Sequence, residues 1–240
     1  MTGHGILKSL TRVVVPVVLA AALAGCFDLS QNVAVGRDGT GHYRVAVAAE
    51  GFIGQALKSK SDKDLIGGNP AHTTTSDING RVTRISVADF KSLSDLKLGE
   101  EAMSIVTHGR GFFGFGATRA TFRYTFAVDR ARRAHGGDSG GDSGGDEQTG
   151  KQILASMFGN HSYSFTVTLP GSIAHIAPVW VGNTEIKPTV TGDFYHGHTI
   201  TWTMPIATLF SAKDLTFEVD YTAWGSFTDA HSQPTGSADF

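Results

Sequence analysis

The chain has one cysteine, Cys26, and it stands directly behind an apolar run that extends from Val13 to Gly25 and is broken only by Pro16. A lone thiol can make neither an intramolecular disulfide nor a thiolate metal site, so its chemistry must come from its position. Two further groups have types and spacing suited to chemistry. His196 and His198 are two apart in Tyr-His-Gly-His, which puts both on one face of a strand with Asp193 nearby. Zinc needs three or four ligands, and His161 and His175 have no spacing that ties them to this pair, so a solvated turn is preferred and no metal is expected. Phe112, Phe113 and Phe115 sit among glycines where a hairpin tip would ordinarily be polar, flanked by Arg110 and Arg119. That pattern fits an apolar finger touching lipid or a partner, with the arginines meeting anionic headgroups. The competing reading folds the same aromatics into the core. No GxSxG elbow, HExxH helix, phosphate-binding loop or dinucleotide fingerprint occurs, which weakens any catalytic reading.

What precedes Cys26 decides its role. Lys8 and Arg12 form a basic start without acidic residues, and the apolar run is too short to span a bilayer as a helix. Leu23-Ala24-Gly25-Cys26 resembles the bacterial lipobox, in which a diacylglyceryl group is attached to the thiol and the chain is cut between Gly25 and Cys26. The expectation is an exported protein anchored by acyl chains of the palmitate class on Cys26, with inner or outer membrane left open. Several chains on one cysteine hold a protein nearly permanently, where one holds it marginally.

The elements that must position these residues are mostly strands. Residues 1–25 are the leader and 26–225 one envelope domain. A Gly/Asp/Ser segment at about 129–151 interrupts that domain as a flexible loop, and 226–240 is expected to be a disordered tail. The mature chain carries a net charge of −4, because Lys8 and Arg12 leave with the leader and no acidic residue does. That balance excludes nucleic acid as a partner. Alternating apolar residues around Gly36–Gly41, Asn79-Gly80 and the phenylalanine segment predict three hairpins. Short helices are expected over Gly51–Gly68, Lys91–Gly99 and Gln152–Phe158, and Trp180 and Trp202 are expected in the core.

The order of these pieces resembles the LppM-type bacterial lipoprotein domain. There a lipidated cysteine leads into a strand, and an apolar-Pro-Gly element, here Leu169-Pro170-Gly171, precedes a Thr/Trp strand, here Thr199, Thr201 and Trp202. The long Gly-Asp-Ser segment departs from it. The resemblance implies an α+β envelope domain with lipid or glycolipid binding. Combined with the residues themselves, the expectation is a mainly antiparallel β-sheet of hairpins with two or three short helices packed on one face. Its function is to bind an amphiphile or an envelope partner without catalysis and without a cofactor beyond the covalent lipid. Two alternatives stand: an assembly lipoprotein without a ligand pocket, and an envelope hydrolase.

Overall fold

The computed structural model describes residues 27–59, 72–98, 101–110, 116–126, 161–193, 197–209, 212, 214–224 and 228–233. The chain forms β1 (Phe27–Val35), β2 (Gly41–Ala49), α1 (Gly51–Ser59), β3 (His72–Ile78), β4 (Arg81–Phe90) and a 3-10 turn (Leu93–Asp95). β5 (Glu101–Arg110), β6 (Thr118–Phe126), β7 (Ser162–Leu169), β8 (Ser172–Ile176), β9 (Val179–Val181) and β10 (Thr184–Ile186) follow. The last elements are β11 (Thr189–Asp193), β12 (Gly197–Pro205), α2 (Ile206–Leu209), β13 (Leu215–Ala223) and β14 (Ala230–His231).

The three expected hairpins are β1–β2, β3–β4 and β5–β6. At the second, Asn79 and Gly80 both have positive φ, 54° and 83°, which the twist of a two-residue hairpin requires. The hairpins do not make one sheet. A seven-stranded sheet runs β11-β12-β7-β1-β2-β4-β3 and a five-stranded one β14-β5-β6-β13-β8, with β9 and β10 as a separate ribbon. All pairings between these strands are antiparallel except β1 with β7, which run parallel from Leu29 opposite Tyr163 to Ala34 opposite Thr168.

Strict alternation drives the stacking. In β7, Tyr163, Phe165, Val167 and Leu169 are fully buried while the residues between them are not. From the facing sheet come Phe122, Tyr124, Phe217 and Val219, also fully buried. The two layers interdigitate through rings: the Phe165 centroid lies 4.4 Å from Tyr124 and 4.7 Å from Phe217, and Trp202 meets Phe217 edge-on at 5.1 Å. Burying each such side chain contributes about 1.5–3 kcal/mol, and the ring geometry adds to it. The sandwich interior at this level is filled.

Helices are minor. α1 packs on the buried face of β4, where Arg84 Nη1 donates to the Leu57 carbonyl at 2.9 Å. The stretch expected to be helical after Phe90 makes only the 3-10 turn, closed by reciprocal hydrogen bonds between Ser92 and Asp95. The four-residue α2 follows Pro205, which cannot donate to a continuing ladder. The Gln152–Phe158 helix and the loop at 129–151 lie outside the described residues. Two expectations need correction. Residues 228–233 are no disordered tail, because β14 covers the edge of β5 and Ser232 Oγ accepts the Met103 N–H at 2.8 Å. Trp180 is no core residue: in the three-residue β9, Val179 and Val181 point inward and the alternation turns Trp180 out, 55% exposed.

The two ends of the sandwich are distinct. Phe27, Ala49 and Val82 pair at one end of the larger sheet, and Val35, Gly41 and Phe90 at the other. Gly171, at φ +80°, packs so closely on Thr222 and Ala223 that a Cβ would collide with them. It thereby brings the last residues of β13 to the Val35 end. Ala223 pairs with Thr118, and Thr118 with Arg110. The roots of the phenylalanine segment therefore lie at the end remote from residue 26, roughly 26 Å along β1 at 3.3 Å per residue.

Candidate functional site

At that remote end, on the outer face of the five-stranded sheet, lies an open cleft of about 550 Å³ lined by His108, Arg119, Ala174, Asp220 and Thr222. Its geometry comes from a bulge. Register in β5 shifts between Thr107 and Arg110, where Gly109 adopts φ +103°, and the extra residue aims His108 back over β6. His108 Nε2 then lies 2.6 Å from Thr121 Oγ1, and Thr121 Oγ1 donates to Asp220 Oδ1 at 2.5 Å. Since the single hydroxyl hydrogen goes to Asp220, the imidazole supplies the hydrogen of its own bond to Thr121. The order is carboxylate, hydroxyl, imidazole, so the hydroxyl is locked as a bridge and is not poised to lose its proton to the ring. Exposed Arg119 borders the same cleft, opposite Thr222. Next to His108 on β5, Thr107 donates its N–H at 2.8 Å and its Oγ1–H at 2.7 Å to Asp229. Those bonds hold the Asp229 carboxyl below the usual carboxylate range.

A second polar group lies between the sheets. Gln31 points inward from β1, and its amide is used completely. Oε1 accepts Tyr124 OH at 2.8 Å and Tyr163 OH at 2.7 Å, while Nε2 donates to Tyr43 OH at 3.0 Å and Glu101 Oε1 at 2.9 Å. Tyr43 OH also donates to Glu101 Oε2 at 3.2 Å. Glu101 as a residue reaches partway to solvent, yet its carboxylate oxygens lie among these partners. Burial raises its pKa, and the hydrogen bonds from Gln31 and Tyr43 only partly offset that. Burial also drives all three phenols well above the ordinary tyrosine value. The network ties both sheets together.

Of the residues singled out in the sequence, Gly25, Cys26, Phe112, Phe113, Phe115 and His196 lie outside the described residues. Arg110 ends β5 and pairs with Thr118, and Arg119 borders the cleft. His198 donates Nδ1–H to the Gly171 carbonyl at 2.8 Å, a bond that fastens the turn after β7. Among the described residues no three His, Cys, Asp or Glu side chains converge as metal ligands. His108, Thr121 and Asp220 were not singled out. Alternation places each on the outer face, but only the register across three strands brings them together. Gln31 had a readable signal, being the one polar residue in the inward phase of Leu29, Gln31, Val33 and Val35.

No protein-family model matches the chain, and no curated protein matches it. Among solved structures it is similar to the folded domain of Mycobacterium tuberculosis LppM, determined by NMR, at 11% identity and a TM-score of 0.39, over 84% of this chain and 95% of that one. A likeness of that degree leaves fold and function to be argued from the chain's own residues.

Proposed function

We propose that this is an exported, lipid-anchored binding domain that acts without catalysis and engages an amphiphilic ligand at the end of the sandwich remote from Cys26. The lipid on Cys26 fixes the domain to a membrane of the cell envelope. The polar head of the ligand enters the cleft beside Arg119 and His108, and its apolar part meets Phe112, Phe113 and Phe115, which the chain places between the two strands bordering that cleft. One observation carries the reading: the Phe165, Tyr124, Phe217 and Trp202 rings fill the interior at their level, while the cleft beside His108 and Arg119 lies open on the outer face. The locked Thr121 hydroxyl supports binding over hydrolysis. The same filled interior favours a second reading, an assembly lipoprotein that meets an envelope partner through this end.

Native mass spectrometry of the protein purified from its own membranes separates the two. A co-purified lipid that Arg119→Ala and Phe112→Ser/Phe113→Ser release supports the amphiphile. Its absence from the folded wild-type protein favours the assembly role.

A further inference from the structure

We propose that the end of the sandwich from which residue 26 departs sits directly on a phospholipid bilayer, with Phe52 and Ile78 set into the headgroup boundary. The inference rests on the reading of Cys26 as lipidated and adds to it a face and an orientation. β1 begins at Phe27, so a single peptide unit, about 3.8 Å between Cα atoms, separates the anchor residue from the sheet. Phe27 is firmly held: its N–H donates to Nδ1 of buried His161 at 3.0 Å, it pairs with Ala49, and it packs against the core. A lipid on the preceding residue thus has no tether, and this end cannot stand far from the bilayer surface.

The side chains around that point suit such a surface. Phe52, in the first turn of α1 just beyond the end of β2, is 73% exposed, and Ile78, the last residue of β3, is 69% exposed. α1 packs on the buried face of the sheet, whereas Ile78 pairs with Arg81 on the opposite face. The two apolar groups therefore lie on opposite faces of the sheet at this end, both on the β2-β4-β3 side of β1. Among the described residues, charges nearby are engaged with one another. Arg81 reaches Asp28 at 2.5 Å and Glu50 at 3.4 Å, and Lys58 meets Asp77 at 2.6 Å. Each of these three carboxylates is met by a cation, so the occupant that this end invites is an apolar boundary and not a charged macromolecule. Trp224 is as prominent, 59% exposed, but follows Ala223 at the opposite end and serves as the internal control.

The test uses the mature protein, purified from membranes and reconstituted into vesicles of phosphatidylethanolamine and phosphatidylglycerol. Lipidation leaves Cys26 as a thioether, so the variants Phe52→Cys, Ile78→Cys and Trp224→Cys each carry one reactive thiol for an environment-sensitive fluorophore. Spin-labelled lipids should quench the label at positions 52 and 78 about twofold or more above position 224, with blue-shifted emission at the first two. Quenching at 52 and 78 no stronger than at 224, with the intact mass confirming an acylated Cys26, overturns the seating alone. An unmodified Cys26 in the same mass spectrum overturns the anchoring reading and the seating with it.

Discussion

The two ends of the sandwich use charge in opposite ways. At the Phe27 end, Arg81 is spent on Asp28 and Glu50, and Lys58 on Asp77, while the side chains left facing out are Phe52 and Ile78. At the Val35 end a bulge and a glycine turn are used to assemble a polar line, His108 to Thr121 to Asp220, under an exposed arginine. One end has its polarity neutralised internally and the other offers it outward. Between them stands the Gln31 amide, whose four bonds join β1, β2 and β7 of one sheet to β5 and β6 of the other. The difference teaches that the domain is polarised along β1, with an apolar end at Phe27 and a polar end at Val35 held in fixed relation by that amide.

Breaking the link should have the largest effect. Gln31→Leu leaves the Tyr124 and Tyr163 hydroxyls and the Glu101 carboxylate short of partners, and the loss should be about 4 kcal/mol in urea unfolding. Next is Gly171→Ala, which puts a Cβ against Thr222 and Ala223 at a left-handed φ. It should cost about 2–3 kcal/mol and disturb the cleft while sparing the Phe27 end, as read by hydrogen exchange along β13 and β1.

The ends and the centre also differ in the sign of their pH dependence. Burial holds the Glu101 carboxyl above the ordinary range, so the folded chain binds that proton more tightly than the unfolded chain does. The resulting stabilisation is complete below the unfolded glutamate value of about 4.3 and is lost as pH rises through the raised value. Glu101→Gln should remove that decline from the curve of unfolding free energy against pH. Asp28 runs the other way. Partial burial pushes its carboxyl up, but the Ser162 N–H and hydroxyl and the Arg81 guanidinium outweigh this and hold it below its usual range. Its contribution is present above about 3.9 and disappears as pH falls through the lowered value, so Asp28→Asn should flatten the acid limb of the same curve. The smallest effect on stability is expected at Arg119. Arg119→Ala should change unfolding free energy by less than about 0.5 kcal/mol while weakening amphiphile binding several-fold.

Much of this was legible in the residues because short-range rules govern it. Asn79-Gly80 dictates a tight hairpin turn, and the phase of Tyr163, Phe165, Val167 and Leu169 dictates a buried face. What was not legible depends on long-range register. The parallel pairing of β1 with β7 joins residues 134 apart, and nothing local in Leu29 or Tyr163 announces it. The division into two sheets follows from that pairing, and so does the meeting of Gln31 with Tyr124 and Glu101. The cleft was hidden for the same reason: His108 reaches Thr121 only because Gly109 permits a bulge, and Asp220 joins them from a third strand. Trp180 shows the limit of composition, since tryptophan is read as core until the alternation of Val179 and Val181 turns it outward.

Attachment at Cys26 is the claim on which the polarity of the whole molecule depends. It is tested most directly by metabolic labelling with a fatty-acid probe in cells producing the wild-type protein or Cys26→Ser. Label on a wild-type band shortened by the 25-residue leader, with the Cys26→Ser protein unlabelled and still carrying its leader, is the expected result. Equal labelling of the two proteins, or no label on either, would contradict it.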